Sequence, residues 1–313
     1  MNHPLMQVQD LRVDFGSHVA LRGLSFELFA GETLGLVGES GSGKTTLARA
    51  ILRLLRAVRG RVEFQGADLL TCDREALLAR RRNLQIVFQD PLASLNPRLT
   101  VGESVGEPLK IFEPALTAQA RRRQVDAMLE RVGLRAESAS RYPHEFSGGQ
   151  CQRIGIARAM ILGPKLLVCD EAVSSLDVSI QGQIINLLLD LQRDAAMAML
   201  FISHDLAVVR HVSHRVMVIF LGRTMEIAPS DALFAAPIHP YTRALLSAIP
   251  AGLPAARIAT LHAKTEGCTY CNRCPFAIEV CELSEPPLAE VAAGHWVACH
   301  RSHETLNPLS LQS

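Results

Sequence analysis

Eight consecutive residues near the N-terminus have the types and spacing of a phosphate-binding loop. Gly38, Gly43, Lys44 and Thr45 fit the pattern G-x-x-x-x-G-K-[ST], in which backbone N–H groups surround the phosphates of a nucleotide. The lysine of such a loop reaches the β- and γ-phosphates, and the last hydroxyl binds Mg²⁺. Glycines are needed because the backbone turns tightly and approaches the phosphate oxygens, where a Cβ would obstruct it. The residues expected to contact the nucleotide are Gly38, Glu39, Ser40, Gly41, Ser42, Gly43, Lys44, Thr45 and Thr46.

Two adjacent acids end an apolar run later in the chain. Leu166–Asp170 reads as a buried strand, and Glu171 follows it directly. Asp170 could hold Mg²⁺ through water, and Glu171 could polarise an attacking water molecule. Paired carboxylates at the end of a buried strand are costly without a cation. The pair therefore indicates a metal-assisted site more than a structural feature.

Four weaker candidates each keep a structural interpretation. Gln89 lies where a predicted strand stops before Pro91 and could point an amide at a metal or water, but a solvated loop residue is equally consistent. His204 ends another strand, where ligands bind in parallel sheets, although a lone histidine is usually structural. Phe15 could stack on a purine or pack in the core. The small-residue loop Ser147–Gln150 opens a helix and could bind an anion, but it is also an ordinary turn.

The elements that position these residues can be read from hydrophobic periodicity. The phosphate loop lies between a buried strand, Thr33–Val37, and a helix over Thr46–Leu52, which is the context its chemistry requires. The pattern is helical and polar from about residue 92 to 164, with an amphipathic helix at Arg121–Leu129, and a solvated basic helix is predicted at Arg74–Arg82. Other predicted strands are Met6–Val13 as an edge strand, Leu24–Leu28, Gly60–Gly66, Leu84–Phe88, Met197–Ile202, Arg215–Phe220 and Thr224–Ile227, the last two closing the sheet as a hairpin over Gly222.

Bulk composition narrows the class of protein. The chain has 313 residues, 48% hydrophobic and 20% charged, with a net charge of +1, which suits a globular protein with no overall electrostatic footprint for nucleic acid. Neither a signal peptide nor an apolar run of about 20 residues is found, so we expect a cytoplasmic protein. Its eight cysteines are then expected to be free of disulfide bonds.

Taken together, these motifs follow the order and rough spacing of an ABC-type ATPase, and the chain resembles the ATP-binding subunit of an ABC importer. The resemblance implies that Glu171 is the catalytic glutamate, that His204 contacts the γ-phosphate, and that Phe15 stacks on adenine. It implies Mg²⁺ ligation by Thr45, Gln89 and Asp170. The residues implied for the partner nucleotide are Ser147, Gly148, Gly149 and Gln150 of the signature, with Asp177 of the D-loop.

The implied fold is α/β, a P-loop ABC ATPase with a RecA-like core sheet, an antiparallel β subdomain and a helical signature subdomain at about residues 92–164. The ABC domain would span residues 1–230, and a small Cys-containing C-terminal extension would span residues 231–313. The stretch from Gln89 to Arg98, the block His239–Thr242 and the terminal cysteines are similar to the oligopeptide, dipeptide and nickel importer branch. Cys151 and the turn Ala172–Ser174 depart from the usual residues of that branch.

The resemblance also implies function and partners. The chain would hydrolyse ATP to energise import of di- or oligopeptides, or of nickel, at the cytoplasmic face of the inner membrane. Its partners would be a second ABC ATPase subunit in a head-to-tail dimer, two transmembrane permease subunits and, indirectly, an external substrate-binding protein, but no nucleic acid. The alternatives are a non-transport ABC ATPase acting on nucleic acid or ribosomes, and a P-loop kinase or GTPase, for which the Ser147–Gln150 loop would have no use.

The terminal cysteines leave three possibilities open. Cys268, Cys274, Cys281 and Cys299 match four that recur in the branch, and Cys271 is additional. Some members are thought to carry a [4Fe–4S] cluster there. Four thiolates also suit zinc, and the third possibility is unligated, reduced thiols.

Overall fold

The computed structural model describes residues 3–55, 59–174, 176–247 and 267–302. The chain divides into two compact units. Unit 1 comprises Met1–Leu5, Leu28–Glu32 and Thr71–Ser203, and unit 2 comprises Met6–Glu27, Thr33–Leu70 and His204–Ser313. Within the described ranges, no helix is both long and apolar enough to cross a membrane.

Strands and helices are interspersed along the chain, as expected for the α/β class. The strands are β1 (Met6–Phe15), β2 (His18–Leu28), β3 (Thr33–Val37), β4 (Arg59–Phe64), β5 (Ala67–Asp68), β6 (Leu84–Val87), β7 (Leu166–Asp170), β8 (Ala198–Ile202), β9 (Arg215–Phe220), β10 (Arg223–Pro229), β11 (Ala289–Ala292) and β12 (His295–Val297). The α-helices are α1 (Lys44–Ile51), α2 (Arg74–Arg81), α3 (Pro91–Ser94), α4 (Val101–Phe112), α5 (Ala118–Arg131), α6 (Gly148–Met160), α7 (Val178–Ala195), α8 (Leu206–Val212), α9 (Ser230–Ala235), α10 (Pro240–Ser247) and α11 (Glu279–Leu283).

Unit 1 is built on three parallel strands. β7 pairs with β6 and with β8, in a register that aligns Leu166 with Leu84 and with Ala198. Every residue of β7 and β8 is buried, which is why both read as continuous apolar runs in the sequence. Because the strands are parallel, their carboxyl ends lie at one edge, and the segments that follow β6 and β7 emerge side by side.

The helices of unit 1 follow the predicted pattern. Between β6 and β7, α3 to α6 and two short 3₁₀ turns make up the region expected to be helical. α2 has no buried residue, as predicted for a solvated helix. α5 buries Val125 and Leu129 along one face. The guanidinium of Arg158 in α6 donates to the carbonyl of Ser94 at 2.6 Å, which ties α6 to the end of α3.

One sheet of unit 2 is antiparallel and corrects a prediction. Its strand order is β2-β1-β4-β5, and β1 pairs antiparallel with β4, with Met6 opposite Phe64. β1 is therefore an inner strand, and the edge position predicted for residues 6–13 is wrong. The alternation of buried and exposed residues that suggested an edge reflects one buried face, which an inner strand of an antiparallel sheet can also have.

The second sheet of unit 2 contains strands that the sequence did not reveal. β3 and β9 are parallel, and β9 and β10 form the predicted hairpin over Gly222. The hairpin does not close the sheet, however, because β12 pairs with β10 and β11 pairs with β12. These two strands are only three and four residues long, too short for a periodic pattern.

The remaining C-terminal elements are short. α10 follows the predicted Pro-containing bend, although Ala248, where its end was predicted, lies outside the described residues, as does the predicted linker over residues 251–265. A 3₁₀ turn at Cys271–Arg273 precedes α11. The domain boundary expected near residue 230 stays a prediction.

Candidate functional site

The phosphate loop of unit 2 is organised around the side chain of Lys44. This residue begins α1 directly after β3 and the loop, and it is buried. Its ammonium donates to the carbonyl of Gly38 at 2.7 Å and to the carbonyl of Glu39 at 2.9 Å. The loop backbone therefore curls around a fixed positive charge, at the N-terminal end of a helix whose dipole also favours anions.

Two of the loop glycines are required by contacts within unit 2. A Cβ at Gly38 would lie 2.2 Å from the carbonyl oxygen of Ile219, and a Cβ at Gly43 would lie 2.9 Å from that of Ala20. Gly43 also has a φ of 106° as it caps α1, a conformation that side chains disfavour. From the sequence, glycine was expected here because a Cβ would obstruct the approach of the backbone to phosphate. The backbone of the neighbouring strands leaves no room for a Cβ either.

The loop also holds polar atoms suited to a phosphate. The hydroxyl of Ser42 is buried and, within the described part of the chain, has no hydrogen-bond partner, which is a costly state for a polar group. The Ser42 carbonyl accepts the N–H of Gly222 at 2.9 Å, which fixes the loop against the β9–β10 turn. Thr45 and Thr46 are half-buried in the first turn of α1. These features fit a nucleotide phosphate with Mg²⁺ at Thr45.

Two other candidates in unit 2 are accessible. Phe15 ends β1 with half of its surface exposed, so its ring is available for stacking. His204 is exposed and directly precedes Asp205, whose carboxylate caps α8 by accepting from Ala207 and Val208.

Unit 1 brings two predicted catalytic residues together. Asp170 is the buried last residue of β7, and Glu171 follows with a positive φ of 50°. The Glu171 N–H donates to the carbonyl of Ile202 at 3.0 Å. The amide of Gln89, two residues beyond β6, donates to the Glu171 carboxylate at 3.0 Å. The parallel register of β6 and β7 thus juxtaposes an amide and a carboxylate that are 82 residues apart in sequence.

The predicted signature loop forms the N-terminus of α6. Ser147 caps the helix, with its hydroxyl accepting the N–H of Gln150 and its own N–H donating to the Gln150 side chain. Ser147 and Gln150 are exposed. A Cβ at Gly149 would lie 2.5 Å from a methyl carbon of Ile180 in α7. Asp177 is also exposed, directly before α7.

Cys151, which follows the predicted signature and departs from the residue expected there for the importer branch, points into unit 1. Its side chain is fully buried, and its thiol donates to the carbonyl of Pro143 at 3.4 Å. Burial raises the pKa of this thiol, so it behaves as a small apolar side chain.

The C-terminal cysteines gather without forming a metal centre. The structure places none of the eight cysteines, all of which lie in its described ranges, in a disulfide bond. Five of them line a cavity of about 20 Å³: Cys268, Cys271, Cys274, Cys281 and Cys299. Across the described residues, however, no group of three or more His, Cys, Asp or Glu side chains is arranged to hold a metal ion. Burial, the largest cause, raises the pKa of Cys268 to about 11 and also raises the pKa values of Cys274 and Cys299. The residues as placed fit reduced thiols rather than an iron–sulfur cluster or zinc.

Two residues that contact the phosphate loop were not identified from the sequence as parts of the site. The phenol of Tyr241 accepts the N–H of Glu39 at 3.0 Å, and the guanidinium of Arg273 pairs with the Glu39 carboxylate. Tyr241 and Arg273 lie 202 and 234 residues from Glu39. No local pattern signals contacts at such separations.

Comparisons with known proteins agree with this geometry. A protein-family model described as ABC transporter matches residues 21–174, and one described as oligopeptide/dipeptide transporter, C-terminal region, matches residues 225–281. A probable peptide ABC transporter ATP-binding protein of Sinorhizobium fredii is 50% identical over 90% of this chain and 82% of its own length. The oligopeptide transport ATP-binding protein OppF of Salmonella typhimurium is 46% identical over 94% and 95% of the two chains. A putative peptide import ATP-binding protein of Brucella ovis is 49% identical over 96% and 98%.

Solved structures point the same way. A dimeric post-hydrolysis structure of the ATP-binding cassette MJ0796 with ADP and Pi matches with a TM-score of 0.65 and 27% identity, over 72% of this chain and 98% of that one. The structure of cbiO1 from Clostridium perfringens matches with a TM-score of 0.66 and 26% identity, over 75% and 92%. The ABC ATPase fold expected from the motifs is confirmed. The chain therefore belongs to the ABC transporter family of ATP-binding proteins, in the branch that carries the oligopeptide/dipeptide C-terminal region.

Proposed function

We propose that this chain is the ATP-binding and ATP-hydrolysing subunit that energises import of di- or oligopeptides. The observation that carries the proposal is the oligopeptide/dipeptide C-terminal region at residues 225–281, in a chain that aligns over nine-tenths of its length with proteins named for peptide transport. None of the relatives quoted is named for nickel or for nucleic acid, so we favour peptides over nickel and transport over an action on nucleic acid or ribosomes.

The nucleotide would be held mainly by unit 2. Lys44 supplies a fixed charge to the β- and γ-phosphates, the Ser42 hydroxyl gains a partner, and the loop N–H groups donate to phosphate oxygens. Gly38, Ser40, Gly41, Gly43 and Thr46 complete this loop. The half-exposed ring of Phe15 would stack on adenine.

Hydrolysis would depend on the carboxyl ends of the strands in unit 1. The family resemblance implies that Thr45, Gln89 and Asp170 bind Mg²⁺, which would offset the negative charge that develops on the phosphates. Glu171 would orient or deprotonate the attacking water, and Gln89, already bonded to Glu171, would hold that carboxylate in position. His204 would donate to the γ-phosphate.

A second ABC ATPase subunit would complete the site in a head-to-tail dimer. The exposed N-terminus of α6, with Ser147, Gly148, Gly149 and Gln150, supplies N–H groups and a helix dipole suited to the partner's γ-phosphate. Asp177 is exposed beside Val178, an apolar residue that is 85% exposed, at the start of α7. The dimeric state described for MJ0796 supports this arrangement.

The subunit would act peripherally at the cytoplasmic face of the inner membrane. Two transmembrane permease subunits would receive its motion, and an external substrate-binding protein would deliver the peptide. The segment from Gln89 to Arg98 and the helical region after it are the proposed docking surface. Gln89 in this segment donates a hydrogen bond to Glu171, so a movement of the Glu171 carboxylate can be transmitted to the docking surface.

Metal binding by the cysteines is not part of this mechanism. A [4Fe–4S] cluster at Cys268, Cys274, Cys281 and Cys299 gains no support from their arrangement, and no step needs it. Anaerobic purification followed by iron and zinc analysis tests this point. Stoichiometric iron with visible absorption would restore the cluster hypothesis.

Peptide uptake in a strain lacking this gene tests the proposed function. We expect uptake of a radiolabelled tripeptide to fall to background and to return with the wild-type gene but not with Lys44→Ala. Arg61→Ala, which changes an exposed arginine of β4 outside the proposed docking surface, should restore uptake fully. In cell fractions the chain should sediment with membranes only when its permease is present. Two results together would reject the proposal: unchanged peptide uptake in the deletion strain, and a wild-type chain that does not sediment with membranes even when its permease is present.

A further inference from the structure

The C-terminal segment of unit 2 reaches back to the phosphate loop through one ion pair. The two terminal nitrogens of Arg273 each donate to one oxygen of the Glu39 carboxylate, both at 2.9 Å. This is the two-pronged geometry in which arginine–carboxylate pairs are strongest. The Arg273 side chain is 31% exposed and that of Glu39 only 14%, so solvent screens the pair less than an ordinary surface ion pair.

Aromatic rings hold Arg273 in place. Its guanidinium carbon lies 5.5 Å from the ring centroid of Phe220 and 5.7 Å from that of Tyr270, within the range of cation–π attraction. Tyr270 contacts Phe220 edge-on and also packs against Tyr241. The hydrogen bond to Glu39 raises the pKa of the Arg273 guanidinium. Arg273 is therefore a fixed charge on a rigid aromatic support.

Glu39 is thereby held at three separate points. Its carboxylate is bound by Arg273, its N–H donates to Tyr241, and its carbonyl accepts from the Lys44 ammonium. Glu39 follows Gly38, the first residue of the loop, so these contacts set the path of the backbone from which Lys44 projects. Moving Arg273 would release one of the three restraints.

The sign of the charges matters as well as the geometry. Glu39 places a carboxylate in a loop that binds the anionic phosphates of a nucleotide, and like charges repel. Arg273 neutralises that carboxylate. Without Arg273, the same loop would present an unpaired negative charge to its ligand.

We propose, on the basis of the nucleotide site proposed above, that Arg273 is a positioning residue for ATP binding. It orients and neutralises Glu39 of the phosphate loop, so the cysteine-containing segment around it sets the affinity of this subunit for nucleotide. Arg273 itself does not contact the nucleotide.

The test is a double-mutant cycle on the full-length chain, read out by titration with a fluorescent ATP analogue and Mg²⁺. We expect Arg273→Ala to weaken binding about tenfold, equivalent to about 1.4 kcal/mol. The double variant Arg273→Ala/Glu39→Gln should bind more tightly than Arg273→Ala alone, because the uncompensated carboxylate is gone. The single variant Glu39→Gln completes the cycle. Raising the salt concentration should bring the dissociation constant of Arg273→Ala for the nucleotide closer to that of the wild type, because salt screens the charge on Glu39.

Matched variants separate this role from general damage. Arg61→Ala removes the arginine of an exposed ion pair with Glu63 on β4 and should leave nucleotide affinity unchanged. Arg273→Lys keeps the charge but loses the two-pronged geometry, so its affinity for nucleotide should lie between those of Arg273→Ala and wild type. If Arg273→Ala does not fold, Arg273→Lys replaces it in the cycle.

Two results would overturn the proposal. One is wild-type affinity in a folded Arg273→Ala protein, and the other is a loss that Glu39→Gln fails to relieve. A wild-type chain that binds no nucleotide at all would instead overturn the proposed function.

Discussion

Glu171 is held in a backbone conformation that costs free energy. Its φ of 50° lies in the left-handed region, which disfavours non-glycine residues by about 1–2 kcal/mol. Hydrogen bonds from its N–H to Ile202 and from Gln89 to its carboxylate keep the residue there. Such strain is found at functional sites, and here it aims a carboxylate away from the strand that carries it.

Replacing this carboxylate tests its role. We expect Glu171→Gln to keep ATP binding and to lower ATP hydrolysis at least about a hundredfold, because a neutral amide cannot accept a proton from water. Steady-state phosphate release and nucleotide titration measure the two effects separately. Glu137→Gln, at an exposed position of unit 1, should behave as wild type. Normal turnover by Glu171→Gln would remove Glu171 from the mechanism.

Some single residues could be assigned from the sequence and others could not. The phosphate loop, Asp170 and Glu171 carry their chemistry in consecutive residues, and the structure positions the loop and these acids at a helix start and a strand end as expected. Arg273 and Tyr241 act on Glu39 from more than 200 residues away. Their contribution depends on tertiary packing, which local spacing does not encode.

At the scale of elements, the start of α6 is defined by close packing against α7. Gly149 lies so near Ile180 that a Cβ would come within 2.5 Å of its methyl carbon. We expect Gly149→Ala to displace the start of α6, to destabilise the protein by about 1–3 kcal/mol and to lower ATP hydrolysis. Thermal unfolding and phosphate release measure both effects.

Another glycine of α6 provides the control. A Cβ at Gly155 would meet nothing within 4 Å among the described residues, so Gly155→Ala should leave stability unchanged or raise it by up to about 1 kcal/mol. Ile180→Ala combined with Gly149→Ala should recover hydrolysis relative to Gly149→Ala. If both glycine variants behave alike, the contact with Ile180 does not explain the need for glycine.

The C-terminal strands depend on a buried carboxylate in β10. Burial alone would raise the pKa of Glu226, but hydrogen bonds from His295 at 2.7 Å and from the N–H groups of Ile238 and His239 outweigh it, and the pKa is lowered from its ordinary value of 4.5. A carboxyl group whose pKa is lower in the folded than in the unfolded state stabilises the fold at pH values above its unfolded-state pKa. This stabilisation is lost as the pH falls through the folded-state pKa. This stabilisation is therefore present at neutral pH and disappears below about pH 4.5.

We expect Glu226→Gln to lower stability at pH 7 by roughly 2 kcal/mol, because an amide satisfies these donors poorly. The difference from wild type should shrink as the pH falls below about 4.5. Thermal unfolding followed by circular dichroism from pH 7.5 to 3.5 measures this, with Glu63→Gln, at a half-buried position of β4, as the control. Parallel pH profiles for wild type and Glu226→Gln would contradict the assigned role.

Element prediction succeeded where the signal was local. β3, β8, α1 and α5 have clear periodicity or unbroken apolar runs, and they were identified with small errors at their ends. The edge position predicted for β1 was wrong because β1 also pairs with β4, whose Phe64 lies more than fifty residues from its partner Met6. A local hydrophobic pattern does not reveal which distant strand will pair with a given one. β11 and β12 were missed because they are short and half of their residues face solvent.

For the whole molecule, the decisive question is how a triphosphate is enclosed. One lysine and one helix N-terminus leave much of its negative charge uncovered. The N-terminus of α6 is exposed and bears no acidic residue in its first turn, so a second subunit can present it to the γ-phosphate. In the proposed head-to-tail dimer, the subunit that offers α6 would have its own phosphate loop covered in return, and bound ATP would hold the two subunits together.

This leads to a prediction about assembly. With ATP and Mg²⁺, Glu171→Gln should form a stable dimer, at twice the monomer mass of 34.1 kDa or with a paralogous ATPase subunit, because the bound triphosphate is not cleaved. Adding Ser147→Glu should abolish the dimer by placing a carboxylate against the γ-phosphate, whereas Ser140→Glu, at an exposed position of the same unit, should not. Light scattering coupled to gel filtration, with and without the co-expressed paralogue, measures the mass. A Glu171→Gln chain that binds ATP yet stays monomeric in both preparations would show that one subunit encloses the nucleotide unaided, and the functional role given to the start of α6 would then be wrong.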